Sequence, residues 1–418
     1  MIFTPYEDEQ TTINSIHKYN TYEYSLLRLT DTMIDKNNID ANMLFREQLR
    51  SAGIVDYDFL PNGGKNGVKT KAKFIHGNEV DSVILNLYRV TGKRGDPRFS
   101  IAGIKSLVRE RKLNTADLLY FTVVQKNAAG QPEVIFINLT SHAPSEDVLT
   151  KVFGADQISL ILSELLPKIK AIAHAGYHPN SKGPGKVCPK DIGDTLEYLL
   201  GISANNSQCA DYQKQIELKT KFKDIHTLDT LFTLRPHFEE TAIERLEPKD
   251  RQRVSAFTRY YGYHSERHAD SQSLYITIGS KEAPQNKHGF YLDVNEEQKR
   301  VNLYGIDPHT KKNEIVAFWH FDELKNELYQ KHPATLWIKA EIKMEEDLAL
   351  FRYVEVELSR SPQFSTFLSL IKSGGITYDW RGYTSISGPY KGKNHGNAWR
   401  IRPQLRSQLF GEIISIPL

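Results

Sequence analysis

The chain has 418 residues, of which 39% are hydrophobic and 25% charged, so it is long enough for two domains and is not compositionally disordered. The net charge of +3 is too small by itself to indicate a polyanionic partner. Two cysteines exclude a disulfide scaffold, and the polar N-terminus and the short apolar runs are typical of a protein without a membrane span. We therefore expect a soluble, cytoplasmic protein.

The first predicted domain, residues 1–145, is mainly β. Segments rich in β-branched and aromatic residues predict strands over 22–29, 81–90, 116–126 and 133–139, and a short helix over 40–53. Several strands with few long helices favour a barrel or sandwich. The polar stretch 141–147 breaks the pattern and sets the predicted domain boundary.

The second predicted domain, residues 146–418, is a mixed α/β domain, and the fold class of the whole chain is therefore α/β. Helical spacing predicts helices over 148–173, 191–202 and 321–331. Alternating segments predict strands over 215–221, 273–279, 289–294, 300–306, 315–321, 335–343 and 351–358. The four tryptophans are expected to lie in the core rather than to stack on bases.

The segment "QIELKTK" (215–221) carries the candidate chemistry. The strand period of two places Glu217 and Lys219 on one face and Ile216 and Leu218 on the other. Asp211 is near enough in sequence to fold back beside Glu217. Two carboxylates and the backbone carbonyl of Leu218 would form an oxygen-rich pocket suited to Mg²⁺. Lys219 would lie within reach of an attacking water or of the charge that builds on a phosphate.

The helix upstream offers a further carboxylate. Glu197 lies at the border of its apolar stripe and could face the strand, and Gly193, one turn earlier, leaves room for a close approach. By itself, an acid followed six residues later by Glu-x-Lys also fits an edge strand with ion pairs and no function.

The C-terminal region suggests contact with DNA. No Asp or Glu occurs from Trp380 to Gly411. In "KGKNHGNAWRIRP" the alternation places Arg400 and Arg402 on one face, and the glycine-flanked His395 could enter a groove. Lys391 and Lys393 would hold phosphates. The alternatives are a phosphate clamp or surface ion pair for Arg400 and a structural loop role for His395.

The stretch "GPGKVCPKDIGDTLEYLLGISANNSQCADYQKQIELKTK" resembles the active-site region of the MvaI/BcnI restriction endonucleases, relatives of the nickase MutH in the PD-(D/E)XK nuclease superfamily. Segments 255–263, 317–331, 351–358 and 388–402 resemble later parts of that family in the same order, so the resemblance covers roughly residues 150–418. One departure is visible. Five residues separate Asp211 from Glu217, one more than expected, which predicts a bulged hairpin.

The resemblance implies a C-terminal MutH-like nuclease domain with a mixed sheet. In it Glu197, Asp211, Glu217 and Lys219 match the catalytic set. His395 and Arg400 match the segment that reads base edges, and Arg259 matches one that approaches DNA. The implied activity is Mg²⁺-dependent, sequence-specific cleavage of double-stranded DNA by a type II restriction enzyme that leaves 5′-phosphates. A short CCNGG-related target, a monomeric enzyme and a separately encoded cognate DNA methyltransferase are also implied.

The N-terminal segment "YRVTGKRGDPRFS" (88–100) is faintly similar to the DNA-binding pseudobarrel of EcoRII. That similarity implies that Lys93, Arg94 and Arg98 meet DNA and that residues 1–145 help to choose the target. The alternative is a stabilising or partner-binding module. For the whole chain, the alternatives to a restriction enzyme are a nickase or a modification-dependent endonuclease of the same fold, or a catalytically inactive DNA-binding protein.

Overall fold

The computed structural model describes residues 4–92, 94–124, 130–202 and 209–418, so Lys93 lies outside the described residues. The chain divides into two compact units, residues 1–160 and 161–418. In the part of the chain that the structure describes, no helix has the length and apolar composition needed to cross a membrane.

Among its described residues, the first unit combines five helices with seven strands. The helices are α1 (Glu7–Ile16), α2 (Asp31–Lys36), α3 (Met43–Ser51), α4 (Ile104–Arg109) and α5 (Glu146–Phe153). The strands are β1 (Tyr24–Arg28), β2 (Ile39–Asp40), β3 (Val68–His76), β4 (Glu79–Arg89), β5 (Pro97–Ile101), β6 (Leu118–Val124) and β7 (Glu133–Asn138).

These strands form a single sheet in the order β1-β6-β7-β3-β4-β5-β2. The pairing of β3 with β7 is parallel and the other pairings are antiparallel. One face packs under α2, α3 and α4 around a core that includes Phe45, Phe121 and Phe136. Part of the other face packs under α1 and α5. The unit is therefore one sheet with helices on both faces, where the sequence favoured a barrel or sandwich.

The second unit is a mixed α/β structure. Its helices are α6 (Gln157–His174, which begins in the first unit), α7 (Asp191–Leu199), α8 (Ala242–Leu246), α9 (Arg253–Tyr261), α10 (Phe321–Lys331), α11 (Phe364–Lys372) and α12 (Arg406–Phe410). Its strands are β8 (His178–Pro179), β9 (Ile216–Phe222), β10 (Asp229–Thr233), β11 (Tyr263–His264), β12 (Ser271–Ile278), β13 (Tyr291–Asn295), β14 (Arg300–Ile306), β15 (Asn313–His320), β16 (Ala334–Glu345), β17 (Leu348–Arg360), β18 (Ile376–Ser385), β19 (Gly392–Asn394), β20 (Ala398–Ile401) and β21 (Ile414–Ile416).

Three sheets organise this unit. The first has the order β21-β17-β16-β9, with β8 beside β17, and its edge strand β9 is parallel to β16. The second has the order β10-β20-β18-β12-β11, with β19 beside β18, and the third is β13-β14-β15. All four tryptophans are buried, as the sequence predicts, and they belong to the core of this unit.

The predicted helix over 148–173 is wrong as a single helix. It is two helices, α5 and α6, because Gly154 adopts φ +96° and stops the first. The Asp156 carboxylate then accepts a hydrogen bond from the Ser159 backbone N–H at 2.9 Å and so helps to start the second.

Candidate active site

The candidate site lies at the start of the edge strand β9. Ile216 and Leu218 are buried, as the strand period predicts, but the Glu217 side chain is also buried and only 2% exposed. The Lys219 ammonium contacts the Glu217 carboxylate at 2.5 Å. Burial of a carboxylate is costly unless cations and hydrogen bonds compensate, so the neighbours of Glu217 matter for the stability of the site.

Asp211 reaches the same point through a tight turn. Tyr212 and Ile216 form an antiparallel bridge, and the intervening Gln213 and Lys214 both adopt left-handed backbone conformations. This turn accommodates the longer spacing between Asp211 and Glu217. The Asp211 carboxylate then accepts a hydrogen bond from the Leu218 N–H at 2.9 Å.

Helix α7 carries Glu197 to the site because it packs closely on β9. A Cβ atom at Gly193 would lie 3.0 Å from the Thr220 hydroxyl, so glycine permits this approach. The Tyr353 hydroxyl donates to the Ile192 carbonyl at 2.9 Å and holds the helix on the sheet. Glu197 follows one turn later and is half-buried.

A second lysine, which the sequence reasoning missed, completes the cluster. Lys331 is the last residue of α10, just before β16, whose Thr335 pairs with Glu217. Its ammonium lies 3.5 Å from Glu217 Oε2 and 4.0 Å from Asp211 Oδ1, and it donates to the Cys209 carbonyl at 3.1 Å. No signal in the sequence "ELYQKHP" marks this lysine as part of the site, since the parallel pairing alone brings it there.

The charges of the four predicted residues act on one another. Burial raises the pKa of Glu197, and the charges of Asp211, Asp194 and Glu217 raise it further, while Lys219 opposes them. Burial and the charge of Glu217 raise the pKa of Asp211, against the Leu218 N–H and the two lysines. The carboxylates therefore repel one another at close range, and the site needs positive charge.

These residues fit a hard divalent cation. The Lys331 ammonium already lies between oxygens of Asp211 and Glu217, so this space accepts a cation. A strand residue directs its N–H and C=O to the same edge, and the Leu218 N–H faces Asp211. The Leu218 carbonyl is thus directed to the same edge, in agreement with the predicted donor set.

Another group of potential ligands lies in the first unit. His76, Glu79 and Asp81 offer ligand atoms within 4.8 Å of one another. Its acids are more accessible than Glu217: the Glu79 side chain is 68% exposed, and the Lys112 ammonium contacts Asp81 at 2.7 Å and Glu79 at 3.7 Å.

The predicted base-reading arginine lies on the second sheet. Arg400 Nε is 3.1 Å from Oδ2 of Asp379, a carboxylate that is only 1% exposed. Arg381 contacts the same oxygen at 2.8 Å, and the Thr277 hydroxyl donates to the other oxygen at 2.6 Å. Asp379 therefore accepts a hydrogen bond from Arg381 and forms an ion pair with Arg400, whose Nε makes no hydrogen bond there, while Trp380 packs in the core. Asp379 and Arg381 are additions to the residues that the sequence suggested.

The other predicted C-terminal residues lie around this face. Lys391, Lys393 and His395 are exposed, and the His395 N–H donates to the Arg381 carbonyl at 2.8 Å. Partial burial lowers the pKa of His395, and neighbouring cations, among them Lys393, lower it further, so a neutral imidazole is favoured. Arg402 follows the end of β20 and is half-buried.

Arg259 has a different environment. Its guanidinium donates to the Ser385 carbonyl at 2.8 Å, to the Ser385 hydroxyl at 3.1 Å and to the Gly388 carbonyl at 2.9 Å, and it lies over the Tyr390 ring. These contacts make Arg259 the anchor of the loop that leads to Lys391.

The residues of the first unit that were predicted to contact DNA differ in their environments. Arg94 is exposed. Arg98 forms an ion pair with Asp40, on the neighbouring strand β2. Lys93 lies outside the described residues, as stated above.

Comparisons with known proteins identify the family. The sequence model of the MvaI/BcnI restriction endonuclease family matches residues 166–410, which is more than half of the chain. The solved complex of restriction endonuclease MvaI with cognate DNA is similar at 25% identity and a TM-score of 0.50, over 61% of this chain and 97% of that chain. The structure of MvaI without DNA is similar at 24% identity and a TM-score of 0.35, over 62% and 98% of the two chains. A search of curated proteins gave no match.

The family match contains both the carboxylate–lysine cluster and the arginine-bearing sheet. The first unit, residues 1–160, lies outside it. The chain therefore belongs to the MvaI/BcnI restriction endonuclease family and is a site-specific deoxyribonuclease.

Proposed function

We propose that this restriction endonuclease is a Mg²⁺-dependent type II enzyme that cuts both strands of DNA at a short CCNGG-related sequence and leaves 5′-phosphates. The observation that supports the proposal is the buried Glu217 in contact with Lys219, with Asp211 bound to the Leu218 N–H and with Glu197 near enough for their charges to shift its pKa. A cognate methyltransferase that protects host DNA and action as a monomer belong to the same proposal.

The chemistry divides among the residues as follows. Asp211, Glu217 and the Leu218 carbonyl would hold the divalent cation, which when bound supplies Lewis acidity and positive charge at the phosphate. Lys219 lies against Glu217 and offers an ammonium to the attacking water and to the charge developing on phosphate oxygens. Glu197 has a raised pKa and can accept a proton from that water or orient it.

We assign recognition of the DNA sequence to the face of the second sheet that carries Arg381 and Arg400. Arg381 donates a hydrogen bond to the buried Asp379, and Arg400 lies 3.1 Å from the same oxygen, so both guanidinium groups are drawn to one carboxylate and keep N–H groups for a guanine edge. Lys391 and Lys393 lie on the flanking loop and strand β19, where phosphate contacts would set the register.

The first unit is proposed to be a DNA-binding module. Its support is an exposed part of the sheet face that packs partly under α1 and α5, which we call the outer face. There Lys69 and Lys71 are exposed on β3 and pair with the uncharged Asn86 and Ile84 on β4. Lys73, the next residue on this face, instead contacts Glu133 at 2.9 Å. A face with unopposed lysines suits a phosphate backbone.

Replacing Glu217 tests the catalytic assignment. Glu217→Gln keeps the size of the side chain but removes the charge that would hold the cation, so cleavage of plasmid DNA in Mg²⁺ should fall by roughly 10²-fold or more. Glu341→Gln, on the exposed part of β16, is the matched control and should cut normally. Sequencing the ends made by the wild type should give 5′-phosphates at one short site. Wild-type cleavage by Glu217→Gln would refute the assignment.

Replacing Asp211 tests whether the carboxylates of the candidate site repel one another. The raised pKa means that ionised Asp211 costs stability above that pKa, and the cost disappears as the pH falls through it. Asp211→Asn should therefore raise the free energy of unfolding at pH 7.5 without metal by about 0.5–2 kcal/mol, while cleavage is lost.

The measurement is denaturant unfolding of Asp211→Asn from pH 7.5 down to the ordinary carboxyl range. The gain in the free energy of unfolding should shrink as the pH falls. The exposed control Asp293→Asn should show no such gain. A lower free energy of unfolding for Asp211→Asn, or a gain that does not change with pH, would contradict repulsion among the carboxylates.

The two kinds of DNA contact should separate in binding measurements. Arg400→Ala should reduce discrimination between the target and a single-base variant by about 1–3 kcal/mol, since it removes a bidentate contact. Lys391→Ala should weaken binding to all sequences and lower the slope of log K against log salt by about one. An equal loss on every sequence from Arg400→Ala would refute its role in reading bases.

The outer face of the first unit can be tested in the same assay. The double variant Lys69→Gln/Lys71→Gln should weaken DNA binding and lower the salt slope by about two, while the ranking of target sequences is kept. Lys36→Gln, an exposed lysine of α2, is the control and should leave both quantities unchanged. Wild-type affinity and slope in the double variant would exclude this face from DNA binding.

A further inference from the structure

Lys331 has a position that the proposed chemistry leaves unexplained. Its ammonium is 3.5 Å from Glu217 Oε2 and 4.0 Å from Asp211 Oδ1, and the side chain is 17% exposed. These two carboxylates are the ones assigned to the divalent cation. A lysine therefore lies where the metal ligands converge.

The neighbourhood holds this ammonium in place. The Cys209 carbonyl accepts a hydrogen bond from Lys331 at 3.1 Å, and α10 ends at Lys331 immediately before β16. On the other side of Glu217, Lys219 contacts the second carboxylate oxygen, Oε1. Each oxygen of Glu217 thus has its own lysine, and the Lys331 ammonium also lies 4.0 Å from Asp211 Oδ1.

The net charge of the three acids and two lysines affects the approach of a phosphate. Glu197, Asp211 and Glu217 with the two lysines carry one net negative charge, which disfavours the approach of a phosphate. A divalent cation would change the balance to one net positive charge. However, an ammonium and a divalent cation between the same oxygens repel each other strongly in a partly buried site.

We propose that Lys331 is a built-in counter-ion that competes with the divalent cation for Asp211 and Glu217. In the absence of metal it stabilises the buried Glu217 carboxylate. When the metal binds, the Lys331 ammonium leaves the two oxygens and becomes free for the anionic strand. Lys331 is thus a positioning residue that weakens metal binding in the free enzyme. The inference rests on the proposed metal site.

The experiment measures Mn²⁺ binding to the full chain without DNA, by calorimetry at fixed ionic strength. Lys331→Met and Lys331→Gln should bind Mn²⁺ about tenfold or more tightly than the wild type, because a unit charge about 4 Å from the site is removed. Lys331→Arg keeps the charge and should stay within about threefold of the wild type. Lys214→Met, which removes an exposed lysine of the Asp211 turn, is the control for the general loss of charge and should also stay within about threefold.

Thermal unfolding supplies a second readout. Without metal, Lys331→Met should melt below the wild type because Glu217 loses a counter-ion, and Mn²⁺ should raise its melting temperature more than that of the wild type. Mn²⁺ affinity that is unchanged or weaker in both folded neutral variants would overturn the competition. If neither the wild type nor any variant binds Mn²⁺, the proposed metal site fails and the inference fails with it.

Discussion

The candidate site depends on the electrostatic repulsion that Glu197, Asp211 and Glu217 exert on one another. Glu217 is almost inaccessible to solvent, and the pKa values of Asp211 and Glu197 are raised by burial and by the neighbouring acids. Such a cluster is tolerated only with cations close at hand. In the free protein Lys219 and Lys331 fill that role, and the same need for positive charge makes the site a place for a divalent cation.

Several features of the surrounding fold hold these charged residues together. The parallel pairing of β9 with β16 fixes Glu217 and brings the end of α10 beside it. Gly193 lets α7 approach β9, and Tyr353 holds the helix there. Stability is given up locally for reactivity, as is usual where function needs charge in a low dielectric. The second sheet repeats this principle, since the buried Asp379 is balanced by Arg381 and Arg400.

The sequence was sufficient where neighbours along the chain decide the structure. The strand period placed Glu217 and Lys219, and helix α10 has the predicted bounds of 321–331. It failed where distant residues meet. Lys331 is far from Glu217 along the chain, and only the β9–β16 pairing joins them. Asp379 was invisible as the partner of Arg400 because the β18–β20 register creates that contact. The single helix over 148–173 failed because one glycine with positive φ ends a periodic pattern.

The most direct test of a carboxylate cluster built for a divalent cation is the location of the ion itself. Crystals of the protein grown with Mn²⁺ would reveal the ion by its anomalous scattering. We expect one peak coordinated by Asp211, Glu217 and the Leu218 carbonyl, with the Lys331 ammonium moved away from both carboxylates. A peak at His76, Glu79 and Asp81 instead, or no peak near β9 at saturating Mn²⁺, would contradict it.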